Sequence, residues 1–195
     1  MNESTTNKRP PAGERILEAA SRLFYENGIR ATGVNAVAER AGVTKVTLYS
    51  HFGSKDGLVT EHLRARDHAW RTTLSRFLED RETPAQRLSG IFDAYEQWTV
   101  SDRFRGCGFV NAAVELTEPL HPGREIIEEH KEGIRRELRD IAETAGCADA
   151  AEVAEEWFLL LEGAVVRCTL RHDVLPLHRA HEAALRLVTP ARETG

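Results

Sequence analysis

The sequence predicts an all-α protein of about nine helices, with a small three-helix head joined by a long fourth helix to a larger helical bundle. Three observations predict it. Apolar residues recur three and four positions apart in nearly every segment, the period of a one-sided helix. Strand-like alternation between turn residues is absent, as are repeats and low-complexity stretches. Where the helical pattern breaks, Gly, Pro, Ser or Thr stands at the break, the residues that cap and stop helices.

The first helix carries its stripe at Ile16, Leu17, Ala20, Leu23 and Phe24, and Asn27 with Gly28 stops it. A short second helix, from about Val34 to Ala41, has Thr32 placed to cap it. Gly42 interrupts, and Thr44 caps a third short helix that runs through His51 to Gly53. Ser54 caps the long fourth helix, Lys55 to about Asp80, with Leu58, Val59, Leu63, Trp70, Leu74 and Phe77 on its inner face. Pro84 fits the first turn of a fifth helix lined by Leu88, Ile91, Phe92, Tyr95 and Trp98. A short sixth helix covers about 107–117, and Pro119, Pro122 and Gly123 break the chain after it. The seventh shows Ile126, Ile127, His130, Ile134, Leu138 and Ile141 on one face and ends at Gly146. The last two span about 149–172 and 177–188, with Pro176 between them.

Composition narrows the class. Hydrophobic residues make up 41% of the 195 and charged ones 29%, ordinary for a soluble protein. No apolar run approaches the roughly 20 residues that cross a bilayer, and residues 1–13 lack the apolar centre of a secretory signal. A cytoplasmic location is the expectation. Cys107, Cys147 and Cys168 form neither a zinc pattern nor a disulfide framework, which suits a reducing compartment. The net charge of −5 is unevenly spread. Residues 1–60 carry eight Lys and Arg against six Asp and Glu, net +2, so the remainder is net −7. A basic head can meet phosphate while an acidic body stays off it.

Residues 34–52 have the residue types of a helix-turn-helix. Ala38 is small where two helices approach, and Gly42 supplies the positive φ of the turn. Val34, Val37, Val43, Leu48 and Phe52 are spaced to face inward. That leaves Lys45, Val46, Thr47, Tyr49, Ser50 and His51 outward, a set suited to phosphates and base edges in a major groove. Lys55 adds a cation at the start of the next helix. The same spacings also occur in plain helical hairpins with a solvated face.

From Arg15 to Leu58 the chain resembles the DNA-binding part of the tetracycline-repressor (TetR) family of transcriptional regulators. The matching residues are Ile16 to Ala20, Leu23, Phe24, Gly28, Val37, Ala38, Ala41 to Val43 and, most specifically, Thr47 to Phe52 followed by Ser54, Lys55 and Asp56. The resemblance implies a helix-turn-helix head over 13–56, preceded by an arm over 1–12. It also implies a ligand-binding and dimerisation domain over 57–190, with a tail over 191–195. It places Thr47, Tyr49, His51 and Lys55 at phosphate-contacting positions, with Thr44 at the start of the recognition helix. Lys45, Val46 and Ser50 fall where the family varies, which makes them the candidates for base readout; Val46 offers only an apolar surface, suited to a thymine methyl. Gly33 and Asn35 depart from the commoner residues around the second helix.

Further on, Gly106 to Ala113 followed by Glu115 looks like a segment found in part of the family, and Phe158 to Val166 resembles its dimer-forming eighth helix. Trp157 to Val166 is apolar nearly all round, broken by Glu162, so it is expected to be buried on more than one side. Two readings stand: core on every face, or one face against a second copy. The second puts Leu161, Gly163, Ala164, Val165 and Cys168 at the seam, with Ala184, Leu187 and Val188 of the ninth helix. Ligand-pocket candidates are Trp70, Phe77, Tyr95, Trp98, Phe104, Cys107, Phe109 and His130, several of which equally suit a plain core. His178, His181 and His172 lack a carboxylate or cysteine at ligand spacing, so no metal or other cofactor is expected. No catalytic constellation is recognisable.

The expected function is therefore a ligand-released repressor that binds an inverted-repeat operator in double-stranded DNA as a homodimer. Its small-molecule ligand is unknown, and neither an enzyme nor a membrane partner is expected. An activator, a regulator that responds through the Cys107 thiol, or a helical enzyme carrying a similar hairpin are the alternatives.

Overall fold

Nine helices and no strand are present among residues 10–100 and 104–188, which the structure, a computed structural model, describes. Residues 1–9 of the expected arm, and the expected tail at 191–195, lie outside the described residues. The helices are α1 (Ala12–Asn27), α2 (Val34–Ala41), α3 (Lys45–Phe52), α4 (Lys55–Leu78), α5 (Pro84–Thr99), α6 (Gly108–Glu115), α7 (Pro122–Thr144), α8 (Ala150–Arg171) and α9 (Leu175–Arg186).

Their ends follow from local chemistry. The Thr47 and Gly57 N–H groups donate to the Thr44 and Ser54 hydroxyls at 3.1 and 2.9 Å, capping α3 and α4 as expected. Thr83 and Gln86 form a reciprocal capping box on α5, with Pro84 in its first turn. Gly42 takes the left-handed conformation (φ 63°, ψ 46°). Its N–H reaches the Glu39 carbonyl while Val43 N–H reaches that of Ala38, both at 3.0 Å, the paired closure of a Schellman turn. This closure fixes the angle between α2 and α3.

Three expectations about helix ends need correction. Thr32 does not cap α2, whose N-cap is Gly33. Thr32 is buried instead, and its hydroxyl lies 2.7 Å from the Gly28 carbonyl and 3.2 Å from that of Leu23, bracing the loop after α1. Pro122 opens α7 rather than breaking the chain before it, and Pro176 sits within the first turn of α9. In both cases a first-turn proline lacks an N–H that would have had no partner.

One continuous core runs through the head and the bundle, with α4 common to both parts. Ile16, Ala20 and Phe24 of α1, Val37 and Ala38 of α2 and Leu48 of α3 close on Leu58 and Val59 at the start of α4. Below them, Leu63 of α4 joins Leu88, Ile91 and Tyr95 of α5, Ile134, Leu138 and Ile141 of α7, and Trp157 and Leu161 of α8. Burying each of the Leu, Ile, Val and Phe side chains contributes about 1.5–3 kcal/mol before the entropy of ordering is subtracted. The buried Trp157 indole N–H donates to the Ala184 carbonyl at 3.0 Å, which fastens α9 across α8. No helix among the described residues is long and apolar enough to cross a membrane.

Candidate functional site

The outward face of α3 is laid down by Leu48, which is fully buried, and by Phe52, half-buried one turn later. With those two inward, Lys45, Val46, Tyr49, Ser50 and His51 are exposed, while Thr47 and Lys55 are half-buried at the two ends of the same surface. Val46 is 79% exposed, an apolar side chain held in water with nothing of its own chain to cover it. Lys45 Nζ lies 5.7 Å from the centre of the Tyr49 ring, so cation and phenol share one patch. The Thr44 and Thr47 hydroxyls lie 2.9 Å apart, and the Ser50 hydroxyl donates to the Thr47 carbonyl at 2.8 Å. With its proton so engaged, the Ser50 hydroxyl has only acceptor capacity left for another partner unless it turns away from its own helix.

The head is held to the bundle by more than α4. Tyr25, near the end of α1, is bonded through its hydroxyl to the Arg105 N–H and the Gly106 carbonyl just before α6. A carboxylate oxygen of Glu115, at the end of α6, accepts the Arg30 N–H at 2.7 Å. His62 of α4 reaches the Ser21 hydroxyl of α1 at 2.9 Å. Burial, followed by the Arg66 charge, lowers the His62 pKa to about 4.

Between α4, α5, α6 and α7 lies a cleft of about 320 Å³. Five of the eight expected pocket residues line it: Trp70, Tyr95, Trp98, Phe109 and His130. Trp70 meets Tyr95 edge-on with ring centres 4.5 Å apart, and His130 stacks on Phe109 at 3.6 Å. His130 Nδ1 is 2.8 Å from Asp67, which also binds Arg71 at 2.6 Å. Burial outweighs the Asp67 hydrogen bond, and the His130 pKa falls to about 4. At neutral pH the imidazole is therefore an uncharged wall. The Tyr95 phenol, fully enclosed, is pushed well above its ordinary value by burial. A wider groove of about 630 Å³ runs along α4 and α7, with Trp70 and His130 common to both.

The other three expected pocket residues do not line the cleft. Phe77 lies near the end of α4, too far along it, with its backbone against Gly90 of α5. Phe104 stands behind the wall, edge-on to Trp98 with ring centres 5.4 Å apart. Cys107 is buried beside α7, its sulfur 3.5 Å from Lys131 Nζ. Sequence reasoning missed Arg66, Thr73 and Gln97, which do line it. Arg66 had a signal: it precedes Trp70 by one turn on the inner face of α4, where a cation needs a reason.

The expected seam also needs correction in its register. Leu161, Ala164, Val165, Cys168 and Ala184 are all buried inside a single subunit, at most 5% exposed, so none offers a surface to a second copy. Leu187 and Val188 are half-buried, and of the expected α8 residues Gly163 alone is exposed. The open face of α8 runs through Leu159, Gly163, Val166 and Leu170, with the three large residues 62, 51 and 74% exposed. His178 and His181 go to different partners, Glu96 at 3.0 Å and the Ser89 hydroxyl at 2.8 Å.

Two family models match the chain. Residues 16–61 fit the model of bacterial regulatory proteins of the tetR family, and residues 84–184 fit the tetracyclin repressor-like C-terminal domain. The chain belongs to the TetR family. It is a DNA-binding transcriptional regulator. Its relatives include the HTH-type transcriptional regulator YjdC of Escherichia coli, 26% identical over 92% of this chain and 94% of that one. Over 40% of each chain it is 37% identical to the HTH-type transcriptional repressor KstR2 of Mycobacterium tuberculosis. Among solved TetR structures, a regulator from Streptomyces coelicolor superimposes with a TM-score of 0.80 at 26% identity, covering 91% of this chain and 92% of that one. One from Streptomyces avermitilis gives 0.77 at 29%, covering 90% and 98%.

Proposed function

We propose that the protein is a ligand-released repressor that acts in the cytoplasm as a homodimer on an inverted-repeat operator. In this reading residues 13–56 form the head, with Tyr49, Thr47, His51, Lys55 and Thr44 on phosphates and Lys45, Val46 and Ser50 choosing the bases. Residues 57–190 form the sensor and dimer domain. The observation that carries the reading is the double duty of α4, whose first turn closes the head core while its middle supplies Arg66, Trp70 and Thr73 to the cleft. A ligand in the cleft that prefers a tilted α4 moves the heads and spoils their spacing on DNA. A hundredfold loss of operator affinity needs about 2.7 kcal/mol of such preference.

Dimerisation through the open α8 face supports the same reading, because two copies covering Leu159, Val166 and Leu170 bury an apolar stripe that one copy leaves in water. The name of KstR2 supports repression rather than activation. A mobility-shift assay on fragments from upstream of the protein's own gene tests the proposal. Specific, salt-sensitive retention is expected, and its absence across the panel would overturn it. Lys131 Nζ beside the Cys107 sulfur favours a second reading, in which Cys107 is alkylated by an electrophile. Release of the operator by N-ethylmaleimide in the native protein but not in Cys107→Ser would establish it.

A further inference from the structure

Arg66 is a cation with no carboxylate partner among the described residues. Its guanidinium lies over two rings, with its central carbon 4.6 Å from the centre of Tyr25 and 5.4 Å from that of Trp98. Gly108 makes the room: a Cβ there would stand 2.5 Å from the Arg66 Nε. The ionisable groups that act favourably on it are the Tyr25 hydroxyl and the Cys107 thiol, and no ion pair to an Asp or Glu of the described residues is formed. The nearby acids are taken. Asp67 binds Arg71 and His130, and Glu162 binds Lys131 at 2.6 Å. Burial lowers the Arg66 pKa, yet a guanidinium stays protonated at any physiological pH. One positive charge is thus left over at the cleft wall.

A second unmet donor belongs to a residue that lines the cleft. The Trp70 indole Nε1 is buried and has no acceptor. A buried donor without a partner costs about 1–3 kcal/mol, so its retention calls for a purpose. The remaining walls are flat and aromatic: Tyr95, Trp98 and the Phe109–His130 stack, with His130 uncharged.

We propose that this cleft binds a small planar aromatic carboxylate, its ring packed among Trp70, Trp98 and Phe109 and its carboxylate taken by Arg66 and the Trp70 indole N–H. The charge matches: one unpaired guanidinium suits a monoanion, and a phosphate dianion would leave one charge unmet in a largely aromatic site. The size matches too, since about 320 Å³ is at the low end for ligand sites and holds one or two fused rings. The inference rests on the sensor reading above and adds a consequence to it. A carboxylate that draws Arg66 toward the cleft draws it off Tyr25, a residue of the DNA-binding head. The ligand is then felt in α1 directly as well as through α4.

The test uses the full-length protein and needs no operator. Benzoate and 1-naphthoate are titrated against the fluorescence of Trp70 and Trp98, beside benzamide, 1-naphthamide and cyclohexanecarboxylate. Saturable quenching by at least one aromatic acid is expected, with its amide and the saturated acid about tenfold weaker or more. Arg66→Gln should bring the acid down to the level of the amide, and Trp70→Phe should weaken it by a smaller factor. Equal binding of acid and amide, or no saturable binding of either acid at millimolar concentration, overturns the proposal with the native protein alone, whether or not the variants fold. Operator affinity is measured separately with and without the acid. Acid that binds and leaves the operator held supports this site while overturning release by it. An operator released by some other compound, with no acid bound, does the reverse.

Discussion

The Tyr25 hydroxyl donates to the Gly106 carbonyl at 3.1 Å, joining the last turn of α1 to the segment that leads into α6. The same oxygen accepts the Arg105 N–H at 2.8 Å, so one phenol closes two backbone groups just before α6. Tyr25→Phe keeps the ring under Arg66 and removes both bonds. Stability to urea is expected to fall by about 1–2 kcal/mol. Operator affinity should change although no DNA-facing side chain has been touched. A variant identical to the native protein in both measurements would show that this joint does not couple the two parts.

On the DNA face the two classes of contact separate experimentally. Tyr49→Phe and Lys55→Ala are expected to weaken binding to every duplex about equally, and Lys55→Ala should lower the salt slope by about one. Lys45→Ala, Val46→Ala and Ser50→Ala should instead change the ranking of operators, by about 1–3 kcal/mol at the affected base pair. Ranking shifts from the first pair and uniform losses from the second set would reverse these assignments.

The α8 register makes a discriminating pair of substitutions. Leu159→Glu or Val166→Glu puts a charge on an exposed apolar stripe, so the subunit should stay folded and sediment as a monomer. Val165→Glu buries an unpaired carboxylate one residue away and should unfold the subunit. Sedimentation velocity with circular dichroism distinguishes the cases. Dimers persisting in both surface variants would move the interface off α8.

Acid should destabilise the protein before most carboxylates titrate. His62 and His130 have pKa values lowered from 6.5 to about 4 in the folded chain, in both cases chiefly by burial. Between those pH values the unfolded chain binds more protons, so stability rises with pH there. It is fully present above about pH 6.5 and is lost as pH falls toward 4, by at most about 1.4 kcal/mol per pH unit for each histidine. Urea midpoints at pH 7.5, 6 and 5 check the slope, and His62→Gln or His130→Gln should each remove about half of this contribution. A variant that keeps the native slope would exonerate its histidine.

The head was legible because its signals are local. Thr44, Gly42 and Ser54 act within three or four residues of themselves, and Leu48 with Phe52 fixes the phase of a helix too short to drift. The exposed face of α8 was not, for a physical reason. A helix that is apolar on nearly every side gives no phase, and only its packing against α7 and α9 shows that Val165 points in while Val166 points out. The cleft stood between these cases. Its aromatics were visible at helical spacing, but Phe77 obeys the same spacing and falls outside, as does Phe104 in the connection before α6. Arg66 was passed over because arginine on a helix is normally solvated, and the ring of Tyr25 forty-one positions earlier is part of what half-buries this cation.

The continuous run of α4 from Lys55 to Leu78 also restricts how such a protein can change by insertion or deletion. One residue added between Leu63 and Arg66 would swing the head about 100° around the axis and lift it about 1.5 Å. That would tear Tyr25 from Arg105 and aim the recognition helix away from the groove. Whole-turn changes of seven residues restore the angle nearly, yet lengthen the reach by about 10 Å. Lineages related to this one should therefore hold the length of that stretch fixed while its side chains vary freely, and gaps in their alignment should collect in the connections on either side.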